Sequence, residues 1–148
     1  MKILLAIDGS KFSQAALETV IAQAHPADTE VRVLHVVEPP SLLLSREMGG
    51  FDPTMDVIWD EEKKHAKAVV EKAAESLRSR GMKATADVEP GNPKSAIIDA
   101  ANKWHADLIV LGSHGRSAVQ RFLMGSVSEA VVRHAHCSVE IVRIPASH

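Results

Sequence analysis

The sequence has few of the residues on which several classes of protein depend. It contains one cysteine, Cys137, no tyrosine and only 3% aromatic residues. A single cysteine excludes an internal disulfide and a cysteine-rich zinc site, and we expect Cys137 to be a small buried thiol. The scarcity of aromatic rings disfavours a base-stacking surface. The net charge of −2, with histidine neutral, predicts no broad attraction to nucleic acid or to an anionic membrane.

Long apolar runs are also missing. No run approaches the roughly 20 residues needed to span a bilayer. The apolar start of the chain stops at Asp8 and is shorter than the ~7–15-residue core of a signal peptide. We therefore expect a cytoplasmic protein. The 148 residues, 45% of them hydrophobic, predict one domain over residues 1–148 with a core of its own.

Short apolar segments alternate with helical patterns along the chain. Nearly unbroken apolar runs of this length are typical of strands buried on both faces of a parallel sheet. The predicted strands are Ile3–Ile7, Val31–Val37, Ala84–Val88, Leu108–Leu111 and Val139–Ile144. The predicted helices are Lys11–Ala24, Pro53–Arg80, Pro93–Trp104 and Ser126–His134. Ser10 and Asn92 are expected to cap the helices that follow them.

This alternation predicts an α/β fold, a doubly wound three-layer sandwich with a five-stranded parallel sheet and helices on both faces. Ligands of such sheets bind beyond the carboxyl ends of the strands, where the strand order reverses. Asp8-Gly9-Ser10 follows strand 1, and a glycine stretch follows strand 4. We therefore expect the order 3-2-1-4-5, which brings both segments to one crevice.

The glycine stretch is Gly112-Ser113-His114-Gly115-Arg116, with Gly125-Ser126 nine residues further on, at the start of the last helix. Glycines let backbone N–H groups approach a ligand, and a helix start carries partial positive charge. The pattern therefore predicts a phosphate cradle, in which Ser126 also caps the last helix. We expect His114 to be an exposed loop residue without a catalytic role.

Two familiar nucleotide motifs are absent. No Gly-x-Gly-x-x-Gly follows strand 1, which disfavours a dinucleotide-binding Rossmann domain, and no P-loop motif occurs. A response-regulator receiver would need an acceptor aspartate after strand 3, where Glu89-Pro90-Gly91 stands instead. The histidines show no metal-ligand spacing, so no metal site is expected.

The region from Glu38 to Phe51 is a long irregular connection that carries Leu42, Leu43 and Leu44. Connections of this length in compact domains are often lids, binding loops or disordered flaps. The leucines are equally consistent with a segment that covers neighbouring core or a partner.

The spacing Gly112-x-x-Gly115-x9-Gly125-Ser126 resembles the ATP-binding signature of the universal stress protein family. The segment from Ile7 to Ser10 resembles that family's start, and Ala106 to Ser113 resembles its fourth strand. Ala135-His136-Cys137 is similar to the family's end, although Ser138 stands where the family often has proline. The resemblance covers nearly the whole chain.

The resemblance implies that ATP, ADP or AMP lies across the strand 1/strand 4 switch point, with Mg²⁺, where present, held mostly by phosphate and water. Glycine N–H groups and the Ser126 hydroxyl would hold the phosphates, and Asp8 would accept from the adenosine part. Backbone groups of Val36 or Val37 would read the adenine edge. The full expected binding set is Ala6, Ile7, Asp8, Val36, Val37, Gly112, Ser113, Gly115, Arg116, Gly125, Ser126 and Val127.

Three functions remain open at this stage. The first is an ATP-binding regulatory module of the stress response. The second is a slow ATP hydrolase or nucleotide-transfer enzyme, which is disfavoured because the cradle shows no carboxylate near the phosphate end and no P-loop lysine. The third is a dimeric scaffold with no nucleotide. No residue is assigned a catalytic role.

Strand 5 lies at an edge in the expected order, and an apolar edge needs a cover. The family resemblance implies a homodimer paired through this strand, Val139 to Ile144. Glu140 and Arg143 are expected to set the antiparallel register by pairing across the two-fold axis.

Overall fold

The computed structural model describes residues 1–39, 53–115 and 124–144. The strands are β1 (Lys2–Ala6), β2 (Glu30–Val37), β3 (Lys83–Pro90), β4 (Leu108–Gly112) and β5 (Ser138–Val142). The helices are α1 (Lys11–Gln23), α2 (Pro53–Arg78), α3 (Pro93–Trp104) and α4 (Ser126–His134). A short 3₁₀ turn, Pro26–Asp28, precedes β2 and was not expected from the sequence.

The five strands form one parallel sheet in the order β3-β2-β1-β4-β5. β1 lies at the centre, where Leu5 pairs in register with Val33 of β2 and Val110 of β4. The predicted fold class and strand order are therefore confirmed. The carboxyl ends of β1 and β4 are neighbours, and this adjacency places the segments that follow them at one crevice.

Two hydrophobic layers flank the sheet, because successive side chains of a strand point to opposite faces. Ile3 and Leu5 of β1 belong to the layer that packs on α1 and α2. Leu4 and Ala6 belong to the layer that packs on α3 and α4. Leu4 and Leu5 are both completely buried, as expected for a central strand covered on both sides.

Local capping decides where the helices begin. The Ser10 hydroxyl accepts from the Ser13 N–H at 3.2 Å, and the Asn92 side chain accepts from the Lys94 N–H at 2.9 Å, which confirms both predicted caps. The predicted bounds of the last helix, Ser126–His134, are confirmed, but its predicted cap is wrong, because Gly125 is the N-cap and Ser126 the first helical residue. Gly125 has no side chain, so the cap adds no hydrogen bond to the first-turn N–H groups.

The predicted strand boundaries differ from the observed ones mainly at β3 and β5. β3 extends to Pro90 because it pairs with β2 over the whole length of that strand. β5 ends at Val142, so Arg143 and Ile144 lie beyond it. The leucines of the long connection, Leu42 to Leu44, lie outside the described residues. Within the described part of the chain, no helix is both long and apolar enough to cross a membrane.

Candidate functional site

A cavity of about 290 Å³ opens where the carboxyl ends of β1, β2 and β4 meet the start of α4. β1 and the turn after it supply one wall, β2 and α3 a second, and the glycine stretch with α4 a third. The residues that line it are Ala6, Ile7, Asp8, Ser13, Leu34, His35, Val36, Pro93, Ile97, Leu111, Gly112, His114, Gly115, Met124, Gly125, Ser126, Val127 and Ser128.

Close approach explains the glycines of the stretch. A Cβ on Gly112 would lie 2.7 Å from backbone atoms of Phe12, so any side chain there would push α1 away from β4. A Cβ on Gly115 would lie 3.1 Å from Oδ2 of Asp8. A Cβ on Gly125 would lie 3.3 Å from the Cα of His114. These glycines keep the cavity wall made of backbone rather than side chains.

The carbonyl of Ser113 joins the end of β4 to the start of α4. It accepts from the Gly125 N–H at 2.7 Å and from the Ser128 hydroxyl at 2.8 Å. The Ser128 hydroxyl also lies 3.1 Å from the Gly125 carbonyl. These hydrogen bonds hold the first turn of α4 at the cavity, where Ser126 and Val127 form part of the lining. The N–H groups of a first helical turn have no partner within the helix, so this end suits an anion.

Asp8 lies between the turn after β1 and the glycine stretch. Its Oδ1 accepts from the Ser10 N–H at 2.9 Å, which is the turn role expected of an aspartate at this position. Its Oδ2 lies beside Gly115, 3.1 Å from where a Cβ on that glycine would be. One carboxylate therefore does approach the cradle, contrary to the expectation from the sequence.

Ser113 and His114 occupy places different from those expected. Ser113 is 2% exposed and does not line the cavity. Its hydroxyl lies 2.9 Å from Nδ1 of His114. His114 is half-buried rather than exposed, lines the cavity, and packs its ring 5.0 Å from that of Phe12. The consecutive positions of the two residues gave no sign of which one would turn inward.

Most of the predicted set lies together. Val36 lines the cavity, whereas Val37 is buried, does not line it, and its carbonyl accepts from the Gly91 N–H at 3.0 Å. Arg116 lies outside the described residues, as does Arg121. The lining residues that sequence reasoning missed are Ser13, Leu34, His35, Pro93, Ile97, Leu111, His114, Met124 and Ser128. Strand alternation around Val36 was a usable signal for Leu34, but the α3 residues depend on how that helix crosses the sheet.

The charges along the described lining are sparse. Asp8 is the one carboxylate there, and no lysine or arginine belongs to the described lining. Within the described residues, no cluster of three or more His, Cys, Asp and Glu side chains could hold a metal ion. An anion in this cavity would therefore meet chiefly backbone donors, hydroxyls and His114.

Cys137 lies away from the cavity. It is half-buried and packs against the core layer of α3 and α4, so it is less buried than expected. Burial raises the pKa of its thiol above the ordinary value, and the charge of Asp107 adds to the rise. Both effects disfavour the nucleophilic thiolate.

Comparison with known proteins gives a consistent result. Residues 1–143 match the model of the universal stress protein family. Universal stress protein MJ0531 of Methanocaldococcus jannaschii is 34% identical over 97% of this chain and 82% of the relative. The structure of universal stress protein UspA from Lactobacillus plantarum superposes with a TM-score of 0.82 at 29% identity, covering 97% of each chain. Hypothetical protein MJ0577 superposes with a TM-score of 0.84 at 27% identity, covering 99% of this chain and 97% of its own.

More distant structures share the fold and carry adenine nucleotides. A universal stress protein family protein from Arabidopsis thaliana has AMP bound, with a TM-score of 0.73, 18% identity, and 99% and 93% coverage. The protein from Archaeoglobus fulgidus is in complex with dAMP, with a TM-score of 0.68, 23% identity, and 95% and 96% coverage. A further universal stress protein is in complex with cAMP, with a TM-score of 0.66, 21% identity, and 97% and 96% coverage.

Proposed function

Because this chain belongs to the universal stress protein family, we propose that it is a regulatory module that binds ATP in the cavity between β1, β4 and α4. The observation that carries the proposal is the joint between β4 and α4. There the Ser113 carbonyl accepts hydrogen bonds from the Gly125 N–H and the Ser128 hydroxyl. These bonds place the start of α4, which has no side-chain cap, against the glycine-lined wall of the cavity. Such a wall presents N–H groups to phosphate without interference from side chains.

The rest of the cavity suits the other half of an adenine nucleotide. Apolar side chains from β1, β2 and α3 line it, among them Ala6, Leu34 and Ile97. A flat base would be desolvated by these walls, and the backbone beside Val36 would read its edge. Asp8, between the apolar part and the cradle, would accept from the adenosine part. The AMP, dAMP and cAMP complexes of distant members of the fold support an adenine ligand.

ATP in particular is proposed because the glycine spacing resembles the family's ATP-binding signature and the start of α4, which has no side-chain cap, lines the cavity. Mg²⁺ would arrive with the triphosphate and be held mostly by phosphate oxygens and water. The described lining supplies no cluster of protein ligands for it.

The first test is mass spectrometry of whatever small molecule copurifies with the protein, followed by calorimetry with ATP, ADP, AMP and GTP on protein stripped of that molecule. We expect an adenine nucleotide to copurify and ATP to bind more tightly than GTP. Stripped protein that gives no binding heat with any adenine nucleotide would contradict the proposal and favour the scaffold hypothesis.

Slow ATP hydrolysis is the second candidate, and one observation favours it. Asp8 Oδ2 approaches Gly115, so a carboxylate faces the cradle, where it would orient a water molecule or help to hold Mg²⁺. No lysine or arginine from the described residues accompanies it in the lining, so we expect turnover far below 1 per second. A turnover of about 1 per second or more would contradict the regulatory module.

A homodimer paired through β5 is also proposed on the family relationship. β5 is at the sheet edge, and its Val139 and Ile141 are only partly buried. Ile144, two residues past the end of β5, adds exposed apolar surface, at 37% exposure. An uncovered apolar edge of this kind favours pairing with a second copy.

Glu140 was expected to pair with Arg143 across the two-fold axis, but in the structure its carboxylate has a partner within its own chain. With the Gln23 amide in its hydrogen-bonding orientation, its nitrogen lies 2.9 and 3.0 Å from the two carboxylate oxygens of Glu140. Glu140 is thus engaged by α1 of its own chain. Arg143 lies past the end of β5. The proposed register therefore rests on the outward backbone groups of the strand rather than on a Glu140–Arg143 pair.

A cytoplasmic location stays a prediction.

A further inference from the structure

A second cavity, of about 410 Å³, lies on the opposite face of the sheet from the proposed nucleotide site. It opens between α1 and α2, behind the turn that joins β1 to α1. Ile7 and Ser13 border both cavities, so the Asp8–Ser10 turn separates them. Its existence does not depend on nucleotide binding.

The floor of this second cavity is apolar. Ile7, Leu17 and Ala73 are nearly fully buried, and Val69 is partly buried beside them. Gly9 has φ +83°, a conformation that favours glycine, and a Cβ built on it would lie 3.7 Å from the Val69 side chain. The floor is therefore formed by a specific turn and two helices, and it would desolvate a small apolar group.

The rim is cationic. Lys11 on α1 and Lys72 on α2 line opposite sides, and no aspartate or glutamate from the described residues belongs to the lining. Neither lysine forms an ion pair with any described residue. The acidic neighbours of Lys72 along α2, Glu71 and Glu75, both pair with Arg78 at 3.7 and 3.6 Å.

The other polar groups of the rim are uncharged and engaged. The Ser76 hydroxyl donates to the Lys72 carbonyl at 3.1 Å, and the Gln14 amide lies 3.5 Å from Glu18. Lys11 Nζ lies 5.3 Å from the centroid of the Phe12 ring, a cation–π contact that uses none of its N–H donors. The two lysines are thus the charged residues of the described lining, whose floor is apolar. A ligand that complements both has one acidic group and a hydrocarbon body.

We propose that this second cavity binds a small organic anion with an apolar body, its acidic group between Lys11 and Lys72 and its hydrocarbon on the floor made by Ile7, Leu17, Val69 and Ala73. The site is separate from the nucleotide cavity, and its proposal does not depend on the proposed function.

The test is a titration of the full ¹⁵N-labelled chain, without nucleotide, with sodium octanoate followed by amide chemical shifts. We expect saturable shifts at Gly9, Gln14 and Ser76. Octan-1-ol has the same body without charge, and acetate has the acidic group without a body. Each should bind clearly more weakly than octanoate, because each lacks one of the two complementary parts.

Variants then locate the site. Lys72→Gln and Lys11→Gln should each weaken octanoate binding by up to about fivefold, as expected for one partly exposed ion pair. Gln14→Trp, an exposed position on the rim, should fill the cavity and abolish binding. Lys67→Gln is the matched control, because Lys67 is an exposed lysine of α2 outside the lining.

Three results would overturn the proposal: no saturable binding of octanoate, shifts confined to the nucleotide cavity, or affinity unchanged in both Lys72→Gln and Gln14→Trp. ATP affinity is measured separately on each variant. Loss of octanoate binding with ATP binding intact supports a second site. If the protein binds octanoate but not ATP, the proposed function is contradicted and the second site is still supported.

Discussion

The carboxylate of Asp8 and the backbone of Gly115 lie side by side in the lining of the proposed nucleotide cavity, so closely that a Cβ on Gly115 would lie 3.1 Å from Asp8 Oδ2. The two residues follow β1 and β4, strands that are neighbours in the sheet. This contact joins the part of the cavity proposed for adenosine to the part proposed for phosphate. Substitutions at both residues therefore test the proposed ATP binding directly.

Gly115→Ala should weaken ATP binding about tenfold or more, which corresponds to 1.4 kcal/mol or more. The added methyl group meets Asp8, so the carboxylate or the glycine stretch must move. Gly115 does not have a positive φ, so the substitution adds little backbone strain and the fold should persist. Calorimetry with ATP measures the loss.

Gly81→Ala is the matched control for that substitution. Gly81 has φ +84°, lies after the end of α2 and does not line the cavity. Its replacement should lower the free energy of unfolding by about 1 kcal/mol and leave ATP affinity unchanged. Wild-type ATP affinity in Gly115→Ala would refute the cradle.

Asp8→Asn should weaken ATP but leave inorganic tripolyphosphate unchanged or bound more tightly. The amide oxygen can still accept from the Ser10 N–H, so the turn is kept. The amide nitrogen that replaces Oδ2 cannot accept from adenosine, and the lost charge removes a repulsion toward phosphate. Calorimetry with both ligands separates the two effects.

Asp99→Asn provides the same change of charge on α3, at an exposed position outside the cavity. It should affect neither ligand. If Asp8→Asn weakened ATP and tripolyphosphate by the same factor, Asp8 would not be acting on the adenosine part.

Ile141→Pro should convert the proposed homodimer to a monomer. The Val142 carbonyl accepts from the Ser113 N–H at 2.8 Å, so the backbone of Val142 faces β4. Backbone direction alternates along a strand, so Ile141 faces the open edge, where proline removes the donor that a second copy would use. Size exclusion with light scattering measures the molecular mass.

Val142→Pro is the matched control and should disturb the pairing of β4 with β5 instead, because the Val142 backbone faces β4. We expect it to lower the melting temperature of the chain, whereas Ile141→Pro should change it less. A dimer that persists in Ile141→Pro would contradict pairing through β5.

Cys137 should react slowly with a thiol reagent such as DTNB at neutral pH. Burial raises the pKa of its thiol, so less thiolate is present than for an ordinary cysteine, and the rate should rise with pH to a midpoint above the ordinary value. The raised pKa also means that stability falls as the pH rises past the ordinary thiol pKa of about 8.5.

The same chain unfolded in guanidinium chloride is the control, because its thiol has the ordinary pKa. A native rate equal to the unfolded rate across the pH range would show that Cys137 is not protected.

Much of this protein could be predicted from local sequence. All five strands were predicted. The signal is clearest for β1 and β4, since a strand buried on both faces needs apolar residues at every position. The edge strands β3 and β5 carry Asp87 and Glu140 and are only partly buried. Ser10 and Asn92 marked helix starts because their side chains accept from N–H groups two or three residues away. The polar turns after strands 1 and 4 predicted the strand order, and Gly112, Gly115 and Gly125 line the cavity that opens there.

Only the tertiary structure decided which of these residues face the cavity. His114 lines the cavity and Ser113 does not. The Val37 carbonyl accepts a hydrogen bond from the Gly91 N–H, and Val37 is not part of the lining. Pro93 and Ile97 enter the lining because α3 crosses the sheet there. Such contacts join residues far apart in the chain. Their geometry depends on strand register and helix packing, which no local pattern of residues encodes.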